Sequence, residues 1–422
     1  MKHGYLSQYF QGVALKRLSA VEADSSRSHQ HEYNGVEGLK ALLGEPEGKI
    51  SYPTRFLFLT DHDDQPVIDD GELTWYDARQ RARVERNVMR WEYRLYFPSN
   101  QVMRRADEGD LLIVAKRSDG GGLLLVIAEK GSTIERQLVW LFGYDDVAHP
   151  GFSIKSKLDS DQDRIGFAAS LILQSIGVEI EDEAPNYLDE MLHRFGGSFP
   201  TTLVFSEYAR STLSDVAAKD DADAAVVAWM QREELLFRTL ERHLLSDRLQ
   251  ILQADHKIDP DAFMKLAMSF QQRRKSRAGS ALENHLEAVF SAHRVTYSRT
   301  AVTENNLRPD FVLPSIQHYR DATFPAMRLT VLAAKTTCKD RWRQILNEAA
   351  RVEIKHLLTL EPSISENQTA EMRSERVQLV LPLSLHATYA ATRRPWLMSM
   401  KTFIELVAAR QRQQGLLGAA KL

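Results

Sequence analysis

Residues 329–348 read LTVLAAKTTCKDRWRQILNE, and this stretch decides how the second half of the chain is expected to fold. It opens on a mostly apolar run that suits a buried strand, and Lys335 closes that run. Apolar side chains then recur at helical spacing, which predicts a helix that carries Glu348. A second apolar run, Phe311–Leu313, begins directly after Asp310. The pattern therefore predicts Asp310 and Lys335 at the ends of adjacent strands, with Glu348 on the next helix.

Two carboxylates and an amine in this arrangement indicate a particular chemistry. Carboxylate oxygens hold divalent cations such as Mg²⁺, and a bound cation lowers the pKa of water and neutralises charge on a phosphate. An amine beside the cation can orient the nucleophile or stabilise developing negative charge. Asp310, Lys335 and Glu348 are therefore candidates for a metal-dependent phosphodiesterase. Each also has an ordinary interpretation, as a turn aspartate, a solvated lysine and a helix-surface glutamate respectively.

The wider sequence adds weight to the nuclease interpretation. The segments concerned are Arg273–Gly279, Leu282-Glu283, Pro309-Asp310-Phe311 and Lys335–Glu348. Together they resemble the EcoRII family of restriction endonucleases, which belongs to the PD-(D/E)xK nuclease superfamily. In that branch the last acidic residue has moved from the lysine strand to the following helix. The resemblance implies that Glu348 is this displaced carboxylate, since the position two before Lys335 is the apolar Ala333.

The same resemblance implies a further acidic residue after the Arg-Ala-Gly element that completes the metal site. We align this residue with Glu283, near the start of a helix predicted over residues 282–293. Glu287 lies four residues later on the same face, so either glutamate can fill the role. A carboxylate that complements the dipole at the start of a helix is the alternative interpretation of Glu283.

The turn after the catalytic lysine is expected to recognise DNA bases. Lys339, Asp340 and Arg341 suit C/G pairs, because Lys and Arg bond to guanine while a carboxylate accepts from cytosine. The family resemblance implies the site CCWGG, with the central base recognised by other residues. Arg277 is a further predicted DNA contact of the catalytic domain. An ion pair between Asp340 and Arg343 is the structural alternative for this turn.

A looser resemblance to the same family covers the N-terminal part. It is carried by Leu15–Ala20, by the segment with His29 and by the arginine-rich stretch that ends at Trp91. It implies a β-pseudobarrel effector domain that binds a second copy of the site without cutting it, and that blocks the catalytic cleft until loaded. Taken position by position, it implies DNA contacts at His29, Arg81, Arg83, Glu85, Arg86 and Asn87. Arg81, Arg86 and Asn87 differ in type from the family pattern, so effector affinity or specificity is expected to differ.

Apolar runs and turn residues divide the chain into two predicted domains. Strands are predicted at residues 55–60, 111–116, 123–128 and 138–142, with a hairpin turn at Asp119–Gly122. Helices dominate residues 189–270, of which 222–246 is predicted to be the longest, and strands alternate with helices from about residue 275. We predict a mainly β effector domain (1–177), a linker (178–186) and an α/β restriction-endonuclease-like domain with added helices (187–422).

Composition limits the classes of protein that fit. At 422 residues and 43% hydrophobic, the chain can bury two or three cores. No apolar run approaches the roughly 18 residues of a membrane span and no signal peptide is evident, so we expect a cytoplasmic protein without a membrane partner. The single cysteine, Cys338, excludes an internal disulfide and fits a small buried filler in the lysine turn.

The net charge of −3 hides an uneven distribution of charge. Basic residues cluster at 79–94, 271–277 and 335–343, as localised phosphate contacts require. Solvated arginine-rich faces are the alternative interpretation, above all for residues 79–94.

Family resemblance and chemistry together imply a Mg²⁺-dependent type II restriction endonuclease whose products carry 5′-phosphates. Its expected partners are double-stranded DNA with two or more copies of the site and a cognate cytosine methyltransferase. A homodimer is expected because a nearly palindromic target presents the same half-site twice. Two other functions stay open, namely a DNA-binding regulator built on a disused nuclease fold and a repair nickase that acts on mismatches.

Overall fold

The computed structural model describes residues 4–24, 31–34, 36–63, 65–86, 89–144, 147, 151–180, 187–253 and 259–412. Of the predicted DNA contacts, His29 and Asn87 lie outside the described residues, as do residues 181–186 of the predicted linker and the side chains of Arg86, Lys339 and Asp340. The described residues form two compact units. The first lies within Met1–Ile180 and includes Pro362–Asn367, and the second lies within Glu181–Glu361 and Gln368–Leu422.

The first unit is built on an eight-stranded sheet. Its strands are β1 (Phe10–Arg17), β2 (Glu32–Tyr33), β3 (Ile50–Leu59), β4 (Val67–Asp77), β5 (Tyr93–Tyr96), β6 (Leu111–Arg117), β7 (Leu123–Ala128) and β8 (Ser153–Lys155). They lie in the order β2-β5-β4-β3-β7-β6-β1-β8, and all neighbours are antiparallel except the parallel pair β3 and β7. This part of the chain is mainly β, as the apolar runs predict, while the pseudobarrel stays a prediction.

The two faces of this sheet bury separate hydrophobic cores. Leu57 and Val126 belong to one core, whereas Phe56 and Leu125 belong to the other. Alternate residues of a strand point to opposite faces, so a strand buried on both faces reads as a continuous apolar run. This explains why β3, β6 and β7 are recognisable in the sequence.

The hairpin turn between β6 and β7 lies where the glycines predict it. Lys116 pairs with Leu123, and the backbone N–H of Arg117 donates to the carbonyl of Gly122 at 3.0 Å. Gly122 has a φ of +84°, and a methyl group on its Cα would overlap the carbonyl oxygen of Pro53. Glycine is therefore required at this position for both conformation and space.

The helices of the first unit correct one prediction. They are α1 (Ala20–Ala23), α2 (Lys40–Leu43), α3 (Gln80–Arg86), α4 (Thr133–Leu141) and α5 (Phe167–Ser175). The strand predicted at residues 138–142 is wrong, because most of it forms the end of α4. The Ser132 side chain caps this helix by accepting from the N–H of Glu135, and Ile134, Leu138 and Leu141 are buried at helical spacing.

The second unit combines helices with a five-stranded mixed sheet. Its helices are α6 (Tyr187–Phe195), α7 (Thr202–Ser211), α8 (Ala222–Gln253), α9 (Pro260–Ala292), α10 (Ile316–Arg320), α11 (Glu366–Ser374), of which the part from Gln368 belongs to this unit, and α12 (Met400–Arg412). Its strands are β9 (Ser298–Arg299), β10 (Phe311–Leu313), β11 (Thr330–Lys335), β12 (Lys355–Thr359) and β13 (Val377–Val380). The order is β13-β12-β11-β10-β9; β11, β12 and β13 are parallel, and β10 is antiparallel to both of its neighbours.

The long helix α9 differs from the sequence prediction at its start. It begins at Pro260, after the capping residue Asp259, and not at Leu282. With 33 residues it also exceeds α8, which has 32 and was predicted to be the longest helix. A proline in the first turn preceded by an aspartate cap is a strong start signal, which the apolar pattern alone did not show. Among the described helices, none is both long and apolar enough to span a bilayer.

Candidate active site

Asp310 and Lys335 meet at the ends of two neighbouring strands. Phe311 of β10 pairs with Leu332 of β11, which brings the residue before β10 beside the last residue of β11. The Nζ of Lys335 lies 2.8 Å from Oδ2 of Asp310, and the backbone N–H of Ala334 donates to the same oxygen at 2.7 Å. The predicted placement of these two side chains is confirmed.

Glu348 lies at the end of a different element from the one predicted. Residues Lys339–Asn347 form a 3-10 helix, and Glu348 directly follows it, so the predicted α-helix is wrong. Trp342 and Ile345 are buried and lie three residues apart, which is one turn of a 3-10 helix. Apolar residues at positions 342, 345 and 346 fit both kinds of helix, so their spacing could not decide between them.

The Glu348 carboxylate is half-buried. Within the described part of the chain, it has no hydrogen-bond or ion-pair partner. Burial raises the pKa of Glu348, and the negative charge of Asp310 raises it further, while Lys335 and Lys355 oppose the increase. Glu348 therefore lies within electrostatic range of the Asp310–Lys335 pair.

Glu283 is the 24th of the 33 residues of α9, well inside the helix. The helix-dipole interpretation therefore does not apply, because the dipole acts within the first turn. Burial raises the pKa of Glu283, and Asp310 raises it further, while Arg299 and Lys335 lower it. The charges of Asp310 and Lys335 thus shift the pKa values of both Glu283 and Glu348, although these two glutamates are 65 residues apart in the sequence.

Arg299, on the edge strand β9, is a site residue that the sequence analysis missed. Its guanidinium donates to Glu283 from Nε at 3.1 Å and from Nη2 at 2.8 Å, and to Glu287 from Nη1 at 2.5 Å. Nη1 also donates to the side-chain oxygen of Asn284 at 2.9 Å. Both candidate glutamates are therefore held by one arginine. A strand of two residues gives no periodic signal that could have identified it.

Glu361 was missed as well, and it holds the turn that follows Lys335. The backbone N–H of Cys338 donates to its carboxylate, and the hydroxyl of Tyr389 donates to its backbone carbonyl at 2.7 Å. The Cys338 thiol is buried, and burial together with Glu361 raises its pKa. A signal for Glu361 was available, because β12 is parallel to β11 and pairs Thr359 with Lys335. Polar residues just beyond parallel strands share one edge of the sheet.

The donor set at this edge suits a hard cation. Within the described ranges, no group of three or more His, Cys, Asp and Glu side chains is arranged as a complete metal site. The raised pKa values of Glu348 and Glu283 nevertheless reflect burial and repulsion from Asp310, which a bound cation would relieve. Mg²⁺ commonly takes one or two carboxylates and keeps several waters. The oxygen donors of Asp310 and Glu348 fit that requirement.

The predicted DNA-recognition residues of the second unit lie in varied surroundings. Arg341 is exposed on the 3-10 helix, and Arg343 pairs with Glu371 at 2.6 Å. Arg277 is half-buried among the rings of Phe199, Phe205 and Phe237, and its Nη1 donates to the carbonyl of Pro200 at 3.2 Å. The structure thus places Arg277 in a helical core in this state, and its contact with DNA stays a prediction.

The arginine-rich stretch of the first unit is less basic than its composition suggests. Arg79 and Arg94 both pair with Glu92, and Arg94 also pairs with Glu32. Arg83 pairs with Asp77. Two predicted effector contacts on α3, Arg81 and Glu85, are exposed, as is Arg90. Three of the arginines are therefore ion-paired within this region, so they form neither a free basic cluster nor the fully solvated face of the alternative interpretation.

The sequence was compared with known families and proteins. A family model described as EcoRII C terminal matches residues 237–404, a range that contains every site residue named above from Glu283 to Glu361. The chain is 32% identical to the type II restriction enzyme EcoRII of Escherichia coli over 404 residues, which is 93% of each chain. It is 29% identical to the type II restriction enzyme SsoII of Shigella sonnei over 117 residues, covering 25% of this chain and 37% of that one.

The fold was compared with solved structures. Metal-depleted Ecl18kI in complex with uncleaved, modified DNA matches with a TM-score of 0.45 and 16% sequence identity. This match covers 57% of the chain and 89% of the other.

Proposed function

This chain belongs to the EcoRII family of type II restriction enzymes, and from that membership we propose that it makes double-strand breaks in DNA at the sequence CCWGG. The observation that supports this proposal most is the Lys335–Asp310 pair at 2.8 Å, within electrostatic range of the half-buried Glu348. An amine and two carboxylates within electrostatic range of one another are the groups that hydrolysis of a phosphodiester needs.

We propose that Asp310 and Glu348 hold Mg²⁺. A bound cation of this kind lowers the pKa of water and neutralises charge on the phosphate. Asp310 is held in place by the backbone N–H of Ala334 and by Lys335, so its carboxylate is already oriented before a cation binds. The ammonium of Lys335 orients the attacking water and stabilises the negative charge that develops on the phosphate. The products would carry a 3′-hydroxyl and a 5′-phosphate.

Recognition of the outer C/G pairs is assigned to Lys339, Asp340 and Arg341. They begin four residues after Lys335, the last residue of β11. Donors and acceptors of these types match guanine and cytosine edges. Arg277 is kept as a further candidate, although it would have to leave its aromatic surroundings to reach DNA.

The first unit is proposed to bind a second copy of the site and to restrain cleavage until it does so. Arg81, Arg83 and Glu85 on α3, together with His29, Arg86 and Asn87, are the candidate contacts. A homodimer would place one catalytic centre on each strand of a nearly palindromic site. A cytosine methyltransferase that protects the host's own sites is the expected partner in the same system.

Supercoiled plasmids that differ only in the number of CCWGG sites test this proposal. With Mg²⁺, the full-length protein should cut a plasmid with several sites into discrete linear fragments, cut a one-site plasmid slowly, and leave a plasmid without sites intact. A chelator should stop cleavage. Nicked circles alone would favour a mismatch or repair nickase, and binding without any cleavage would favour a regulator. Equal rates on one-site and multi-site plasmids would contradict the restraint by the first unit.

A further inference from the structure

We propose that Arg299 is a positioning residue that fixes Glu283 beside the catalytic carboxylates, an inference that rests on the proposed nuclease function. Nothing in the motif pattern assigns a role to this arginine, which lies between the helix that carries Glu283 and the strand that follows Asp310. The contacts of its guanidinium and the pairing of its backbone carry the proposal.

The guanidinium of Arg299 binds one turn of helix α9. Two of its nitrogens converge on Oε2 of Glu283, at 3.1 and 2.8 Å, and Nη1 is shared between Glu287 at 2.5 Å and Asn284 at 2.9 Å. A planar guanidinium with several fixed donors restricts the carboxylates it binds far more than a lysine would. The side chains of Arg299 and Glu283 are 26% and 21% exposed, so solvent weakens this contact only in part.

The backbone beside Arg299 is hydrogen-bonded to the strand that follows Asp310. Arg299 pairs with Phe311, the residue directly after Asp310. The N–H of the next residue, Thr300, donates to the backbone carbonyl of Asp310 at 3.0 Å. One residue therefore connects the Glu283 carboxylate to the backbone of Asp310. This connection sets the separation of two carboxylates that lie on different elements.

Charge gives Arg299 a second effect on the same site. It places one positive charge against Glu283 and Glu287, and the negative charge of Asp310 also acts on Glu283. Loss of the guanidinium would free Glu283 to rotate and would leave the acidic cluster more negative. We therefore expect slower cleavage together with tighter binding of a cation in the absence of DNA.

The test compares Arg299→Met, Arg299→Lys and Glu283→Gln with the wild type in the full-length protein. Arg376→Met is the matched control, because Arg376 forms an exposed ion pair with Glu353 in the same unit. Arg299→Met should slow single-turnover cleavage of a CCWGG duplex roughly 100-fold, the size of effect that a small misplacement of a catalytic group can produce. The cleavage rate of Arg299→Lys should lie between those of Arg299→Met and the wild type. Lysine keeps the positive charge but lacks the several fixed donors of the guanidinium. DNA affinity in Ca²⁺ should not change.

Two further measurements separate positioning from a general structural role. The double variant Arg299→Met with Glu283→Gln should be no slower than Glu283→Gln alone, because Arg299 acts through Glu283. Calorimetry without DNA should show tighter Mn²⁺ binding by Arg299→Met than by the wild type or by Arg376→Met. Additive losses in the double variant, or unchanged Mn²⁺ affinity, would overturn the proposal.

The outcomes also distinguish this inference from the proposed function. A wild-type protein that cuts no plasmid would refute the nuclease function itself. If the wild-type protein cuts, and Arg299→Met and Arg299→Lys both cut as fast as the wild type, the role of Arg299 is refuted while the nuclease function stands. If Arg299→Met fails to fold, the cleavage rate of Arg299→Lys still decides the question, because a rate equal to that of the wild type would refute the role of the guanidinium.

Discussion

The guanidinium carbon of Arg83 lies 3.4 Å from the centre of the Trp91 ring, and the same guanidinium pairs with the buried carboxylate of Asp77. Trp91 stacks on Tyr93 with 5.9 Å between ring centres, and Tyr93 stacks on the buried Trp75 with 5.3 Å. Arg83 therefore caps a column of three aromatic rings. Through this column, Arg83 of α3 packs against Trp75 and Tyr93 of the sheet by way of Trp91. The same helix carries predicted effector contacts.

We predict that Trp91→Ala lowers the free energy of unfolding of the first unit by about 1 kcal/mol, the usual size of a cation–π contact at a partly exposed site. Trp91→Phe should retain part of this stability, because a smaller aromatic ring still faces the guanidinium. Urea denaturation followed by circular dichroism measures the difference. Met89→Ala is the control, since Met89 is 87% exposed. An unfolding free energy for Trp91→Ala equal to that of Met89→Ala would show that the column contributes nothing.

Lys335→Ala should reduce the cleavage rate by roughly 100- to 1000-fold or more, because it removes a donor placed where charge develops on the phosphate. Binding to the same duplex in Ca²⁺, measured by fluorescence anisotropy, should be retained. Lys401→Ala, at an exposed position on α12, should cut like the wild type. If Lys335→Ala loses DNA binding as well, the lysine supports the fold and its assignment to catalysis is wrong.

The stability of the second unit should depend on His356 in acid. Burial, together with the positive charge of the nearby Arg410, lowers the pKa of His356 to about 4. The unfolded chain binds this proton more tightly, with a pKa near 6.5. The stabilising contribution is therefore complete above that value and is lost as the pH falls toward 4, by up to about 3 kcal/mol.

Thermal unfolding at pH 7 and pH 4.5 tests this dependence on His356. His356→Gln should lose less stability between these two pH values than the wild type, whatever its stability at pH 7. His193→Gln, at an exposed position, should behave like the wild type. Parallel pH profiles for His356→Gln and the wild type would disprove the prediction.

The glycine-rich hairpin offers a matched pair of substitutions. Gly120 and Gly122 both have a positive φ, of 77° and 84°. A methyl group at Gly120 meets no atom within 4 Å, whereas one at Gly122 meets the backbone of Pro53. Gly120→Ala should therefore cost about 1 kcal/mol from conformation alone, and Gly122→Ala clearly more. Equal midpoints of denaturation for the two variants would contradict the steric explanation.

The sequence was informative where residues are buried on both faces of a sheet. The runs beside Asp310 and Lys335 form fully buried strands, so both their position and their neighbourhood were predictable. The family resemblance supported Glu348, which the local pattern had already suggested, and it added Glu283, which no local pattern links to that edge. Their convergence depends on long-range packing, and single-sequence periodicity carries no such information.

The failures have equally specific causes. Residues 138–142 are too few to separate the periods of a strand and a helix, and the cap at Ser132 was the signal that decided the structure. Residues 67–77 form a long strand, β4, that contains acidic residues and a glycine and has no apolar run. Arg299 acts through contacts with residues elsewhere in the chain, so only the three-dimensional structure identifies it. Glu361 follows a buried strand of the predicted α/β domain, and that position was the one available signal for it.

The hydrogen bond from the Cys338 N–H to the Glu361 carboxylate bears on how the proposed DNA site is distinguished from other sequences. Only two residues separate Lys335 from Cys338, and each of these two is bonded to a different carboxylate: Lys335 to Asp310 and the backbone of Cys338 to Glu361. If Lys339–Arg341 recognise bases as proposed, a wrong base pair that displaces them would also displace the ammonium of Lys335 through this short segment. The cleavage rates of the correct and the incorrect duplex would then differ by more than their binding affinities do.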